Sequence, residues 1–155
     1  MKKYLLIIIL SIISNFSFSQ ILEQNYKIQA KQENVIIRKY DVVEGFGNTT
    51  KEILTSITKL DYETYYELVN CIEYCRDNFS EIENIDNEII THSKKICAFY
   101  RKINDKTKIQ IVLYDSDYYE NILDTRHIIM IFDCYNANDC DNILNSIKIK
   151  KIKIL

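Results

Sequence analysis

Five cysteines hold most of the chemical potential of this 155-residue chain: Cys71, Cys75, Cys97, Cys134 and Cys140. Two of them stand as CxxxC within "YYELVNCIEYCRDNF", a stretch of helical periodicity, and three chemistries could use such a pair: thiol redox, metal binding, or separate disulfides. Redox centres of the thioredoxin type use CxxC, and a radical-enzyme cluster motif would continue CxxxCxxC, where this chain has Asn78. On a helix, Cβ atoms at i and i+4 lie about 5 to 6 Å apart. A disulfide wants about 3.5 to 4.5 Å, so a Cys71–Cys75 bond would unwind a turn. Zinc would need His92, Cys97, His127, Cys134 or Cys140 to complete its sphere, and no second close Cys/His pair stands at a familiar spacing. Disulfides to other elements are therefore expected, with all five cysteines as candidates, and neither a metal nor a cofactor is. The first choice is Cys134–Cys140, which would staple the end of an apolar run to the start of a helix six residues later. The second joins Cys71 or Cys75 to Cys140. Five is odd, so at least one thiol is left over or pairs with another chain.

Little else resembles catalytic machinery. His92 and His127 are the only side chains with a base poised near neutral pH. His127 opens an apolar run and His92 sits in Thr-His-Ser, contexts that suit structural or exposed histidines. There is no GxSxG elbow. Gly45-Phe-Gly47 lacks the third glycine of a dinucleotide loop. Acidic residues gather in Asp115, Asp117, Glu120 and Asp124, and again in Asp133, Asp139 and Asp141 with Asn136 and Asn138. The first group begins like an EF-hand, but Tyr119 takes the third ligand position and no glycine follows. Turn solvation and helix capping explain both groups.

Charge and the N-terminus bound the setting. Residues 1–19 show a basic start at Lys2 and Lys3, an apolar core from Leu5 to Ile13 and small residues at Ser17 and Ser19, the grammar of a cleaved export signal. No cysteine adjoins the cleavage point, so the lipoprotein route is not indicated. The expected product is periplasmic or secreted, carries no stable membrane span after cleavage, and meets an oxidising compartment where disulfides persist. Lys148, Lys150, Lys151 and Lys153 crowd the C-terminus. With these and the two leader lysines set aside, 14 basic residues face 22 acidic ones, which disfavours nucleic acid as a partner.

The elements that must position these residues are read from period and caps, since proline is absent and glycine occurs twice. Tyr26, Ile28 and Ala30 alternate with polar residues, "KQEN" turns, and Val35, Ile37 and Val42 follow, the pattern of a hairpin. "KEILTSITK" is a third strand. Asp61 then caps a helix over about 62–78, with Tyr65, Leu68, Val69, Ile72, Cys75 and Phe79 as its inward stripe. Strands follow at "EIITHS", "KICAFYRKI" and "KIQIVLYD", with a turn over 104–107, and "HIIMIFD" reads as a buried central strand. Asn136 caps a second helix over about 137–146. The tail "IKIKKIKIL", 147–155, alternates like a basic edge strand. A shift of 75 residues sets Asp61 on Asn136, Leu68 on Ile143, Val69 on Leu144 and Ile72 on Ile147, a faint echo between halves.

The expected fold is α+β: one domain over 20–155, a mainly antiparallel sheet of about five to six strands with the two helices on one face. The expected function is a non-catalytic binding or structural module whose partner is another envelope or extracellular protein. Tyrosine doublets, Tyr65-Tyr66 and Tyr118-Tyr119, would each expose one ring for recognition. The competing expectation is a metal-assisted or thiol-dependent hydrolase using a spare cysteine with His92 or His127.

Overall fold

A computed structural model describes residues 21–82, 89–93, 95–103, 106–115 and 127–149. The expected export signal, the tail beyond Ile149, and Asp117, Glu120 and Asp124 of the first acidic group lie outside the described residues, as does Tyr118-Tyr119. Strands β1 (Ile21–Ala30), β2 (Asn34–Glu44) and β3 (Thr50–Asp61) lead into helix α1 (Tyr62–Asp77) and the short α2 (Phe79–Ile82). Strands β4 (Ile89–His92), β5 (Ile96–Ile103), β6 (Lys106–Tyr114) and β7 (Ile128–Cys134) lead into α3 (Ala137–Ile147). The protein is α+β. Strand pairing is antiparallel throughout the described residues, in the orders β1-β2-β3 and β4-β5-β6-β7.

Two sheets stand where one was expected, and the neighbouring edge strands β3 and β7 are both bulged. β3 carries an extra residue, Thr55, opposite Lys39 and Tyr40, and β7 carries an extra Ile129 opposite Leu113 and Tyr114. Such bulges break the pairing rhythm and sharpen local twist. Side chains take over where a backbone ladder would run. Ser56 Oγ donates to the Ile129 carbonyl at 2.9 Å and Lys39 Nζ to the Ile131 carbonyl at 2.7 Å. Of the expected turn over 104–107, Lys106 and Thr107 belong to β6; residues 104 and 105 lie outside the described residues.

Both helices lie on one side of the sheets and share one core. α1 packs against α3 and against β3, β5 and β6, while α3 packs back on β1 and β7. Val35, Ile37, Leu68, Ile72, Ile109, Ile111, Leu113, Phe132, Leu144 and Ile147 are all buried there, and the Tyr26 ring stacks on Phe132 with centroids 5.0 Å apart. Asp61 accepts the Thr64 N–H at 2.7 Å and Asn136 accepts the Asp139 N–H at 3.0 Å, so both expected caps start their helices. The echo between halves survives in these caps and in the buried helix positions. The same shift sets Ile53, Leu54 and Ile57 on Ile128, Ile129 and Phe132, and there it fails: the three residues of β3 are exposed, whereas Phe132 is core.

Tyr65 ties the two helices together. Its hydroxyl donates to the Ile147 carbonyl at 2.9 Å and accepts the Ile149 N–H at 3.0 Å, closing the end of α3 from the first turn of α1. Tyr66, the other half of the doublet, points outward.

Candidate functional site

Four of the five cysteines converge. Cys71 and Cys75 come from α1, Cys134 from the last residue of β7 and Cys140 from the first turn of α3, and all four are buried in the common core. Cys71 and Cys75 stand one turn apart on α1, and Cys134 and Cys140 flank the turn between β7 and α3. The hydrogen bond to Cys71, then burial, pushes the Cys75 thiol up; the bond to Cys140, then burial, does the same for Cys134. Such thiols are neutral near pH 7 and poor nucleophiles, because the thiolate is the reactive species. All five cysteines stand as thiols. Among the described residues no group of three or more His, Cys, Asp or Glu is placed to hold a metal ion.

Cys97 belongs elsewhere. Successive residues of a strand face opposite ways, so while Ile96, Ala98 and Tyr100 enter the common core, Cys97 lies on the far face of its sheet. It packs there with Val112 and Tyr114, and with the partly buried Phe99, Ile128 and Ile131. Register sets it opposite His92 of β4. The other histidine, His127, meets Asp115 between the ends of β6 and β7, Nδ1 to Oδ1 2.9 Å, on the surface.

A second feature, illegible in the sequence, is a groove of about 690 Å³ between β1 and α3. Its β1 wall includes Ile21, Leu22 and Glu23; Asn142 and Asn145 of α3 form the other wall, and Tyr135 and Asp139 close one end. Regular structure positions these groups. β1 is an edge strand whose alternation turns Tyr26 into the core, and Asn142 and Asn145 share the outer side of α3 opposite its buried Ile143, Leu144 and Ile147.

Capping holds the end of the groove. Asp139 accepts the Tyr135 N–H at 2.8 Å while its own N–H bonds Asn136, a reciprocal arrangement that fixes the turn between β7 and α3. Asp133 also lines the groove, taking Lys108 at 3.1 Å and Gln110 at 2.9 Å. The second acidic group of the sequence is thus largely a capping and pairing network, as expected. No lysine or arginine lines the groove among the described residues, so Glu23 and Asp139 give it a negative bias.

The sequence signal that could have found the groove is weak. "LEQN" at 22–25 and "NILNS" at 142–146 are ordinary polar surface until the fold sets them face to face. Among the described residues no helix is long and apolar enough to cross a membrane. No protein family matches this chain, and comparison with curated proteins and with solved structures finds nothing similar to it.

Proposed function

We propose that the protein is a small exported binding module, periplasmic or secreted and without catalytic activity, that holds an extended basic segment of another envelope or extracellular protein in the β1–α3 groove. The carrying observation is the groove itself: a cleft of about 690 Å³ whose charged lining residues, among the described residues, are all acidic. That volume lies within the range of ordinary binding sites, about 300–1,000 Å³. An edge strand offers backbone N–H and C=O groups to an added strand, and neighbouring side chains then choose the partner. Lysine or arginine side chains of such a segment would meet Glu23 and Asp139, and apolar ones would meet Ile21 and Leu22.

Titration calorimetry with a lysine-containing strand peptide and a glutamate-containing control tests this reading. Only the basic peptide should bind, more weakly as salt rises, and Glu23→Lys, at an exposed position, should abolish the preference. Equal binding of both peptides, or binding untouched by Glu23→Lys, refutes it.

One observation favours a thiol-dependent hydrolase as a second reading: the β4–β5 register sets His92 opposite Cys97. Against it, Cys97 is fully buried among apolar side chains, where thiols are generally inert. Rapid alkylation of Cys97 in the native chain, together with hydrolysis of a substrate panel lost in Cys97→Ser, would favour the hydrolase over the binding module.

A further inference from the structure

The paired thiols of the core differ in what they can become. Cys71 and Cys75 sit mid-helix in α1, where the i, i+4 spacing holds Cβ atoms about 5 to 6 Å apart, too far for a disulfide without unwinding a turn. Cys134 and Cys140 flank a turn and not a helix body. That turn is already built: the Asn136 cap and the Asp139 carboxylate hold its backbone with bonds of 3.0 and 2.8 Å, independently of sulfur. The two thiols flank this turn from the end of β7 and the first turn of α3, and both are fully buried in the same core cluster.

We infer that Cys134 and Cys140 form a disulfide in the exported protein, while Cys71 and Cys75 stay a dithiol beside it. Both sulfurs are fully buried in the finished fold, so oxidation takes place as the chain folds, before the core closes. The oxidant is a disulfide of the thiol-exchange class. One cysteine thiolate attacks it, forming a mixed disulfide and releasing one thiolate; the second cysteine then displaces the other half. Two S–H bonds are lost, one S–S bond forms, and the oxidant takes two electrons and two protons to become two thiols. Tyr135 and Asp139 lie inside the closed loop, so the bond also fixes one end of the groove. The linkage is nevertheless independent of what the groove binds.

Trypsin separates the possibilities. Cleavage after Lys59 and Arg76 yields peptide 60–76 with Cys71 and Cys75, and cleavage after Arg126 and Lys148 yields peptide 127–148 with Cys134 and Cys140. The full chain is folded from urea in oxidised and reduced glutathione, alkylated without reduction, digested and weighed. The expected result is peptide 127–148 two hydrogen masses light and unalkylated, with peptide 60–76 alkylated twice. Peptide 127–148 carrying two alkyl groups, or joined to peptide 60–76 or to the peptide holding Cys97, overturns the inference.

Discussion

Replacing Tyr65 by phenylalanine removes one oxygen and leaves the ring, so it isolates the tie between the helices. The hydroxyl serves two backbone groups at once, donating to Ile147 and accepting from Ile149. A neutral hydrogen bond contributes a net of about 0.5–1.5 kcal/mol, and a buried group left without a partner costs about 1–3 kcal/mol. The Ile147 carbonyl is enclosed and would lose its tyrosine partner, whereas the Ile149 N–H is only partly buried and can turn to water. The sum is roughly 2–3 kcal/mol. For a domain of this size that corresponds to a fall in Tm of about 10 °C.

Tyr62→Phe is the control. It also deletes one hydroxyl, but its bond to the Lys31 carbonyl, 2.6 Å, is at the surface and its loss should cost about 0.5 kcal/mol or less. Urea unfolding followed by circular dichroism measures both, with equal slopes showing that only stability has changed. Tyr65→Phe within 0.5 kcal/mol of Tyr62→Phe, on the order of the measurement error, would refute the argument that burial decides the difference. Alkaline titration gives a second readout. Burial raises the Tyr65 hydroxyl above the ordinary tyrosine value of about 10, so the folded state keeps it neutral where the unfolded chain begins to ionise. Its contribution is fully present below that ordinary value and is lost as pH rises toward the folded one. The phenylalanine variant should therefore lose stability less steeply above pH 10, with Tyr26 and Tyr114, also raised chiefly by burial, accounting for the remaining slope.

Four further perturbations test other parts of the fold. Asp61→Ala should cost about 1 kcal/mol by removing the α1 cap. The Thr64 backbone N–H bonded to Asp61 holds this carboxyl below its ordinary range, so the stabilisation is present above about pH 4 and is lost as pH falls through the folded value; the urea midpoints of variant and parent should converge in acid. Asn136→Ala, which removes an uncharged cap, should show a similar cost with no such convergence. Phe132→Ala should cost about 3–5 kcal/mol by leaving a cavity under Tyr26, and a loss below about 1 kcal/mol in urea unfolding would contradict the packing described. Reducing the inferred Cys134–Cys140 bond opens a short loop from 134 to 140 and should cost about 2 kcal/mol in the chain-entropy picture, read as a reductant-dependent urea midpoint that disappears in the Cys134→Ala, Cys140→Ala chain.

Local grammar made the helices legible. Asp61 and Asn136 are side chains that accept a first-turn N–H within three residues, and the inward stripe from Tyr65 to Phe79 needs only helical period, so both are properties of contiguous sequence. The same holds for Cys75 facing inward, since phase around a helix follows from spacing. Strand identities were readable because β-branched alternation and the turn at 31–33 are also short-range. The α+β class follows from that list of elements.

Long-range geometry had to come from the fold. That the strands divide into two sheets, with Ser56 of β3 and Lys39 of β2 bonded to carbonyls of β7, leaves no mark in composition or period. Exposure of Ile53, Leu54 and Ile57 likewise reflects what the helices fail to cover, and not the apolar pattern of the strand itself. The groove joins residues 21–25 to residues 135–146, over a hundred positions apart, and no local rule links them. The cysteines show the division most clearly: spacing was enough to oppose a bond within CxxxC, but only packing brings Cys71, Cys75, Cys134 and Cys140 into one cluster and sends Cys97 to the opposite face. Short-range chemistry is written in neighbouring residues, whereas a site assembled from separate elements exists only once burial has chosen which surfaces meet.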